Sequence, residues 1–228
     1  MIKINKKLVL VLIFLSNTLL SQTYDDEIWS GLEIEIPITK KLEMSLEHDI
    51  RWINWTQTID WQITDLGLAY SFNKQFKLSA SYNYRSRKDN WQHVFNGNFN
   101  YDNNFGKFKY SYRLRYQEKY RWKITKKKRL TERKSDEDHI RNRFMLEYDT
   151  DMWLTPFTGA ELYYLVNNDE YSDRFDVLRL YLGVDIDTFK DQKLTIYYMA
   201  EHEFNVLNPN TSNVIGIFYS FSLPRLFN

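Results

Sequence analysis

The chain contains no cysteine, which excludes disulfides, zinc-thiolate sites and thiol nucleophiles. Proline and glycine are scarce, 4 and 7 in 228 residues, so neither a collagen-like repeat nor a disordered low-complexity chain fits. Charge of one sign is also missing. The 31 Lys and Arg oppose 30 Asp and Glu for a net +1, and nothing in that balance steers the chain onto nucleic acid. Beyond residue 22 no stretch of about 18 apolar residues occurs, and mean hydropathy is -0.58, which excludes a polytopic helical membrane protein. What the sequence has in quantity is aromatic side chain: 17 Tyr, 15 Phe and 7 Trp. The expected fold class is therefore β-rich and polar on average.

The N-terminal segment reads as an address. Lys3, Lys6 and Lys7 precede the apolar run Leu8 to Leu15, and Ser16, Asn17, Thr18 and Ser21 follow. This is the order of a secretory signal peptide. Cleavage is expected after Ser21, which assigns residues 1–21 to the signal peptide and residues 22–228 to a single β-barrel domain. With no cysteine after the apolar run, a lipoprotein is excluded.

From Glu27 onward the dominant period is two, the signature of strands. Met44, Leu46, Ile50 and Trp52 share one parity, and Glu43, Ser45, Glu47, Asp49 and Arg51 share the other. Phe76, Leu78, Ala80, Tyr82 and Tyr84 alternate with Lys77, Ser79, Ser81, Asn83 and Arg85. Phe108, Tyr110, Tyr112, Leu114 and Tyr116 alternate with Lys109, Ser111, Arg113, Arg115 and Gln117. Further strands are expected over 27–36, 61–72, 91–101, 140–149, 157–166, 178–186, 194–203 and 214–223. The phase of the 61–72 segment shifts near Asp65, which suggests a bulge there.

The connections alternate in length. Short ones are expected at 37–41, 73–74, 102–106, 151–156 and 187–192, and longer or more polar ones at 53–60, 86–90, 123–138, 167–174 and 204–212. That alternation describes an up-and-down antiparallel transmembrane β-barrel of about 10–12 strands, of the outer-membrane kind. Trp29, Trp52, Trp55, Trp61, Trp91 and Trp122 fall at the long-loop ends, where indoles form an interfacial girdle. Phe72, Phe76, Tyr101, Phe108 and Tyr148 supply a second girdle at the other end. Two features depart from the usual pattern: the count is about eleven where bacterial barrels are even, and the chain runs past Tyr219, Phe221 and Leu223 to Pro224–Asn228 rather than ending on a terminal aromatic.

The opening Ile28-Trp29-Ser30-Gly31-Leu32-Glu33, the strand Arg113-Leu114-Arg115-Tyr116, the strand from Arg141-Asn142-Arg143 to Glu147-Tyr148, and Thr155-Pro156-Phe157 leading to Glu161-Leu162-Tyr163 together resemble an uncharacterised outer-membrane β-barrel family, domain of unknown function 2490, common in Bacteroidetes. The resemblance spans nearly the whole mature chain. It implies a barrel with no assigned biochemical activity and carries over no site residues.

If the apolar parity faces lipid, the lumen receives nearly balanced acids and bases. Arg113, Arg115, Arg141 and Arg143 lie on sequential strands and are expected to be neighbours, with Glu147 and Glu161 as the carboxylates that hold them apart. Such a cluster makes either a structural network that fills a narrow bore or a polar channel, and the filled network is the favoured reading. No catalysis, cofactor or metal site is evident. His48, His93 and His202 fall on the apolar parity and His139 on the polar one, without a serine on the same face as His202. The loop 123–138 carries Lys126, Lys127, Lys128 and Arg129, a basic run suited to lipopolysaccharide phosphates. Expected partners are outer-membrane lipid and the barrel-assembly machinery, with no nucleic acid. Two other classes stay open: a lipid-modifying barrel enzyme, and a periplasmic lipocalin-like barrel with its aromatic face turned inward around a ligand.

Overall fold

The computed structural model describes residues 24–227 apart from 55, 89, 125–129, 135–137 and 168–171. The assigned signal peptide and the run Lys126 to Arg129 therefore lie outside the described residues. The strands are β1 (Tyr24–Pro37), β2 (Leu42–Ile53), β3 (Thr58–Ser71), β4 (Phe76–Arg87), β5 (Asn90–Phe105), β6 (Phe108–Ile124), β7 (Leu130–Lys134), β8 (Asp138–Tyr148), β9 (Leu154–Val166), β10 (Arg174–Phe189), β11 (Gln192–Glu203) and β12 (Thr211–Ser222). The described residues contain no helix.

Each strand pairs antiparallel with the next, except that β6 pairs with β8 along 108–117 and with the short β7 along 120–124. β7 thus continues the wall beyond β8 rather than adding a place to the ring, and eleven strands close the barrel. An up-and-down path through an odd number of strands brings the first and last into the same direction. β1 and β12 accordingly pair in parallel, from Tyr24 opposite Thr211 to Glu35 opposite Ser222. The odd count expected from the sequence is the real one, and this seam is how it closes. Beyond β12 the chain stays on the edge of β1: the Leu226 and Phe227 amides donate to the Pro37 and Ile38 carbonyls at 3.0 and 2.9 Å.

All eleven expected segments are strands, and the differences are local. The connection expected at 102–106 shrinks to Gly106–Lys107, because β5 runs to Phe105 and Gly106 supplies the left-handed turn conformation (φ 59°). The loop expected at 123–138 contains the end of β6 and β7. At the β3–β4 turn, expected at 73–74, four residues, Phe72 to Gln75, connect the strands, and Asn73 Oδ1 accepts the Gln75 and Phe76 amides at 2.8 and 2.9 Å in an Asx turn. No bulge lies at Asp65. The register of β2 and β3 shifts between Arg51 and Trp52, leaving Asp60 as the extra residue, and the apparent phase change reflects Ile63, an apolar side chain buried inside the barrel.

The two faces of the wall differ as the alternation requires. Leu32, Leu66, Leu68, Leu78, Phe95, Leu114, Phe144, Leu180, Leu182 and Ile217 are exposed on the outside. The charged parity turns inward, so the arrangement of a lipocalin-like barrel, with its aromatic parity around a ligand, does not occur. The tryptophan girdle needs correction. Trp29 is buried in the lumen beneath the Arg51 guanidinium, 3.7 Å from its ring centroid, and Trp61 is the register partner of the same inward-facing Arg51. Both occupy the parity of the lumen charges rather than that of the leucines. Trp55 lies outside the described residues. At the opposite end the aromatic set pairs up, Phe76 with Tyr101 at 5.0 Å and Phe108 with Tyr148 at 5.1 Å.

Candidate functional site

Strand register builds the arginine cluster. Arg113 lies directly opposite Arg143, and Arg115 opposite Arg141, across β6 and β8. Two stacked like-charge pairs are unfavourable unless anionic groups intervene. Glu161 on β9 is the intervening group: register places it between Arg143 of β8 and Arg179 of β10. Its carboxylate, 1% exposed, accepts Arg113 Nη2 at 2.8 Å, Arg141 Nε and Nη2 at 3.2 and 2.9 Å, and the Tyr181 hydroxyl at 3.1 Å. Arg179 places Nη1 3.9 Å from it, and its Nε donates to Glu201 on β11. An alternating ladder, Arg143, Glu161, Arg179, Glu201, thus crosses four adjacent strands. The Tyr163 ring braces it, with Arg141 and Arg179 at 4.2 and 4.9 Å from its centroid, a contact that stabilises a desolvated guanidinium.

Of the six residues singled out from the sequence, the structure brings together Arg113, Arg141, Arg143, Arg115 and Glu161. Glu147 is elsewhere. It sits opposite Lys109 toward the short-turn end and takes that ammonium at 3.2 Å, because six residues of β8 carry it three cross-strand rows away from Arg141. Arg115 makes no ion pair with a described residue; its Nε donates to Asn98 Oδ1 at 2.5 Å. Around it runs an amide network in which Asn96 donates to Asn83 and Ser81 and accepts from Gln117.

Four residues along β9, β10 and β11 from this ladder, toward the short turns, the lumen face is apolar, which alternation alone does not reveal. One register row reads Phe157, Gly183, Tyr197, Gly216, Trp29 across β9 to β1. Large rings alternate with glycines, and the rings lie over them. A Cβ at Gly183 would stand 2.5 Å from Phe157 Cζ, and one at Gly216 would overlap the Tyr197 ring. Trp29, Met199 and Val214 form the buried core of this wall, with Tyr181, Tyr197 and Phe218 packed against it. The available sequence signal was glycine on the lumen parity at Gly31, Gly183 and Gly216, since a close-packed ring needs a missing Cβ beside it.

A third element comes from a bulge. Between Phe175 and Val177 the register of β10 with β9 slips by one residue. The unpaired Asp176 is thereby turned into the lumen, where its Oδ2 meets His139 Nε2 at 3.0 Å, both side chains buried. His139 keeps the polar parity expected of it, whereas Asp176 leaves no signal in the period because it is the bulged residue. The outward histidines behave differently: His48 meets Thr64 at 3.0 Å, His93 the Tyr82 hydroxyl at 2.5 Å and His202 Thr211 at 3.0 Å.

The lumen is filled only in part. A cavity of about 630 Å³ is lined by Trp29, Asp49, Arg85, Arg141, Glu161, Tyr163, His139 and Asp176 among others. A second, of about 360 Å³, lies among Glu33, Glu43, Lys77, Asn100 and Ser111. The expected network exists as a belt, with space beside it rather than a solid plug. Among the described lining residues of the larger cavity there is no serine, and its alcohols are Thr195 and the tyrosines. No group of three or more metal-ligating side chains converges among the described residues, and they hold no helix long and apolar enough to cross a membrane, which says nothing of strands.

No curated protein matches the chain. Residues 26–213, from the first barrel strand into the last, match the model of the family described as Protein of unknown function (DUF2490), and the chain belongs to that family.

Proposed function

We propose that this protein is an outer-membrane β-barrel whose charge-lined, partly filled lumen serves small polar solutes, without catalysis. The observation that carries the reading is the inversion of the wall: charges inside, a belt of large apolar side chains outside. Leu182 is 65% exposed, Phe144 59% and Leu180 52%, and water-soluble monomers rarely leave so extended an apolar surface uncovered. Ring closure also pairs both edges of the eleven wall strands, as a hydrocarbon environment demands of a spanning sheet, the short β7 alone having a single partner. The ring pairs at the short-turn end suit a headgroup level.

A lipocalin-like role is disfavoured because the face that would hold an apolar ligand looks outward. A lipid-modifying enzyme would need a serine, histidine and acid gathered on the outer face. Instead, His48 and His202 bond threonines and His93 a tyrosine. The basic run Lys126, Lys127, Lys128 and Arg129 completes the proposal as a contact for lipopolysaccharide phosphates, with insertion by the barrel-assembly machinery. Cell fractionation with a heat-modifiability gel tests the reading. The protein is expected in the outer-membrane fraction, migrating differently boiled and unboiled. Recovery in the soluble periplasm would overturn it.

A further inference from the structure

The two lumen cavities meet at a small set of shared residues, and these are charged in an ordered way. Arg113, Arg115 and Arg143, from β6 and β8, line both cavities, as do Glu47 and Asp65, from β2 and β3. The narrowing between the cavities is therefore basic on one side and acidic on the other. Three to five interstrand steps of about 4.8 Å separate the two sets along the wall, so the opposed charges stand on different arcs of the same lumen lining. Glu161 holds Arg113, but Arg115, Arg143, Glu47 and Asp65 make no ion pair with a described residue. Asp65 is held only by the Ser81 hydroxyl at 3.3 Å, and Arg115 by Asn98. Asp65 and Arg115 are thus positioned without a counter-charge in contact, Arg143 ends the ladder beside Glu161, and Glu47 shares a hydrogen bond with Asp49.

We propose that this narrowing is a recognition site for small zwitterions, an amino acid or short peptide carrying one carboxylate and one ammonium group. The proposal rests on the reading of the lumen as open to small solutes. A carboxylate fits the guanidinium forks of Arg115 and Arg143, which can donate in parallel pairs. An ammonium group, a compact donor of three hydrogen bonds, fits the carboxylates of Glu47 and Asp65. A simple anion would satisfy the arginines while facing two carboxylates, and a simple cation would meet the converse. Only a solute with both charges matches both sides, and the field between the two sets aligns it as it enters.

The test is calorimetric titration of the full-length protein in detergent with three probes: glycylglycine, with both charges; N-acetylglycine, with the carboxylate alone; and glycinamide, with the ammonium alone. Glycylglycine is expected to bind saturably and at least ten times more tightly than either of the others. Asp65→Asn should reduce glycylglycine to the level of N-acetylglycine, and Arg143→Gln to that of glycinamide, with barrel folding of each variant checked on the heat-modifiability gel. If a variant fails to fold, the comparison of three probes on the unaltered protein still decides. Equal binding of N-acetylglycine would make this an anion site and overturn the proposal, and equal binding of glycinamide would make it a cation site with the same result. Saturation by none of the three, with the barrel intact, would mean that the opposed charges serve only to balance each other. Recovery of the protein outside the membrane would overturn the outer-membrane reading and leave these titrations standing.

Discussion

Along β9 to β12 and β1 the lumen face carries Phe157, Gly183, Tyr197, Gly216 and Trp29, rings laid over glycines with Met199 and Val214 fully buried among them. Along β2 to β6 the same face carries Glu47, Asp65, Arg85, Asn98 and Arg115, spaced around two cavities. Both arcs border the larger cavity, Trp29, Phe157 and Tyr197 on one side and Asp49, Asp65, Arg85 and Arg115 on the other, while the smaller cavity lies mainly against the second arc. The belt of Glu161 with Arg113, Arg141 and Arg179 lies where the two meet. The difference teaches that a barrel of this girth need not be uniform: close packing can be concentrated on one arc of the wall while another carries charges beside open space.

The comparison is most severely tested at the junction. Glu161→Ala leaves Arg113 and Arg141 desolvated without their anion, and should lower stability by about 3–5 kcal/mol, read from the urea midpoint of the barrel in bilayers. A second test concerns the outside that both arcs share. Leu114→Arg should cost about 2–4 kcal/mol if that position is at the bilayer midplane, and Ser111→Arg, facing the lumen, should cost less; equal costs would show that the inside and outside of β6 were wrongly assigned. On the packed arc, Gly216→Ala forces the Tyr197 ring off its seat, an overpacking change of about 1–3 kcal/mol, whereas Gly97→Ala on the outer face meets open space and should leave the unfolding midpoint unchanged. Smallest is the effect at the lumen charges that border both cavities. Arg143→Gln on β8 should move stability by under about 1 kcal/mol, because water screens that charge, yet alter ion preference in planar bilayers. A large loss of stability from Arg143→Gln would show that the lumen is packed at that level after all.

Much of this plan was legible in the sequence because strand alternation is strictly enforced by the pleat. Leu114 and Arg115 cannot both face the same way, and so the parity of β6 and the arginine cluster followed from residue order alone. What alternation cannot report is which apolar residues sit on the inner parity for their own reasons. Trp29 shares its parity with Glu27 and Glu33, and was read as a girdle residue because its place near a strand end outweighed its phase. Glu147 was grouped with the arginines by parity, although register moves it down the barrel to Lys109. Asp176 was hidden because a bulge breaks the very period from which faces are read.

The parallel seam between β1 and β12 sets the polarity of the whole chain. In a barrel with an even number of strands the two chain ends emerge on the same side, but here β1 starts beside Thr211, at the rim with the longer connections, while β12 runs out beside Pro37 at the rim of short turns. In a bilayer, the two ends would open into different compartments. A tag placed before Tyr24 and one placed after the last residue would then be reached by antibody from opposite sides of the same membrane.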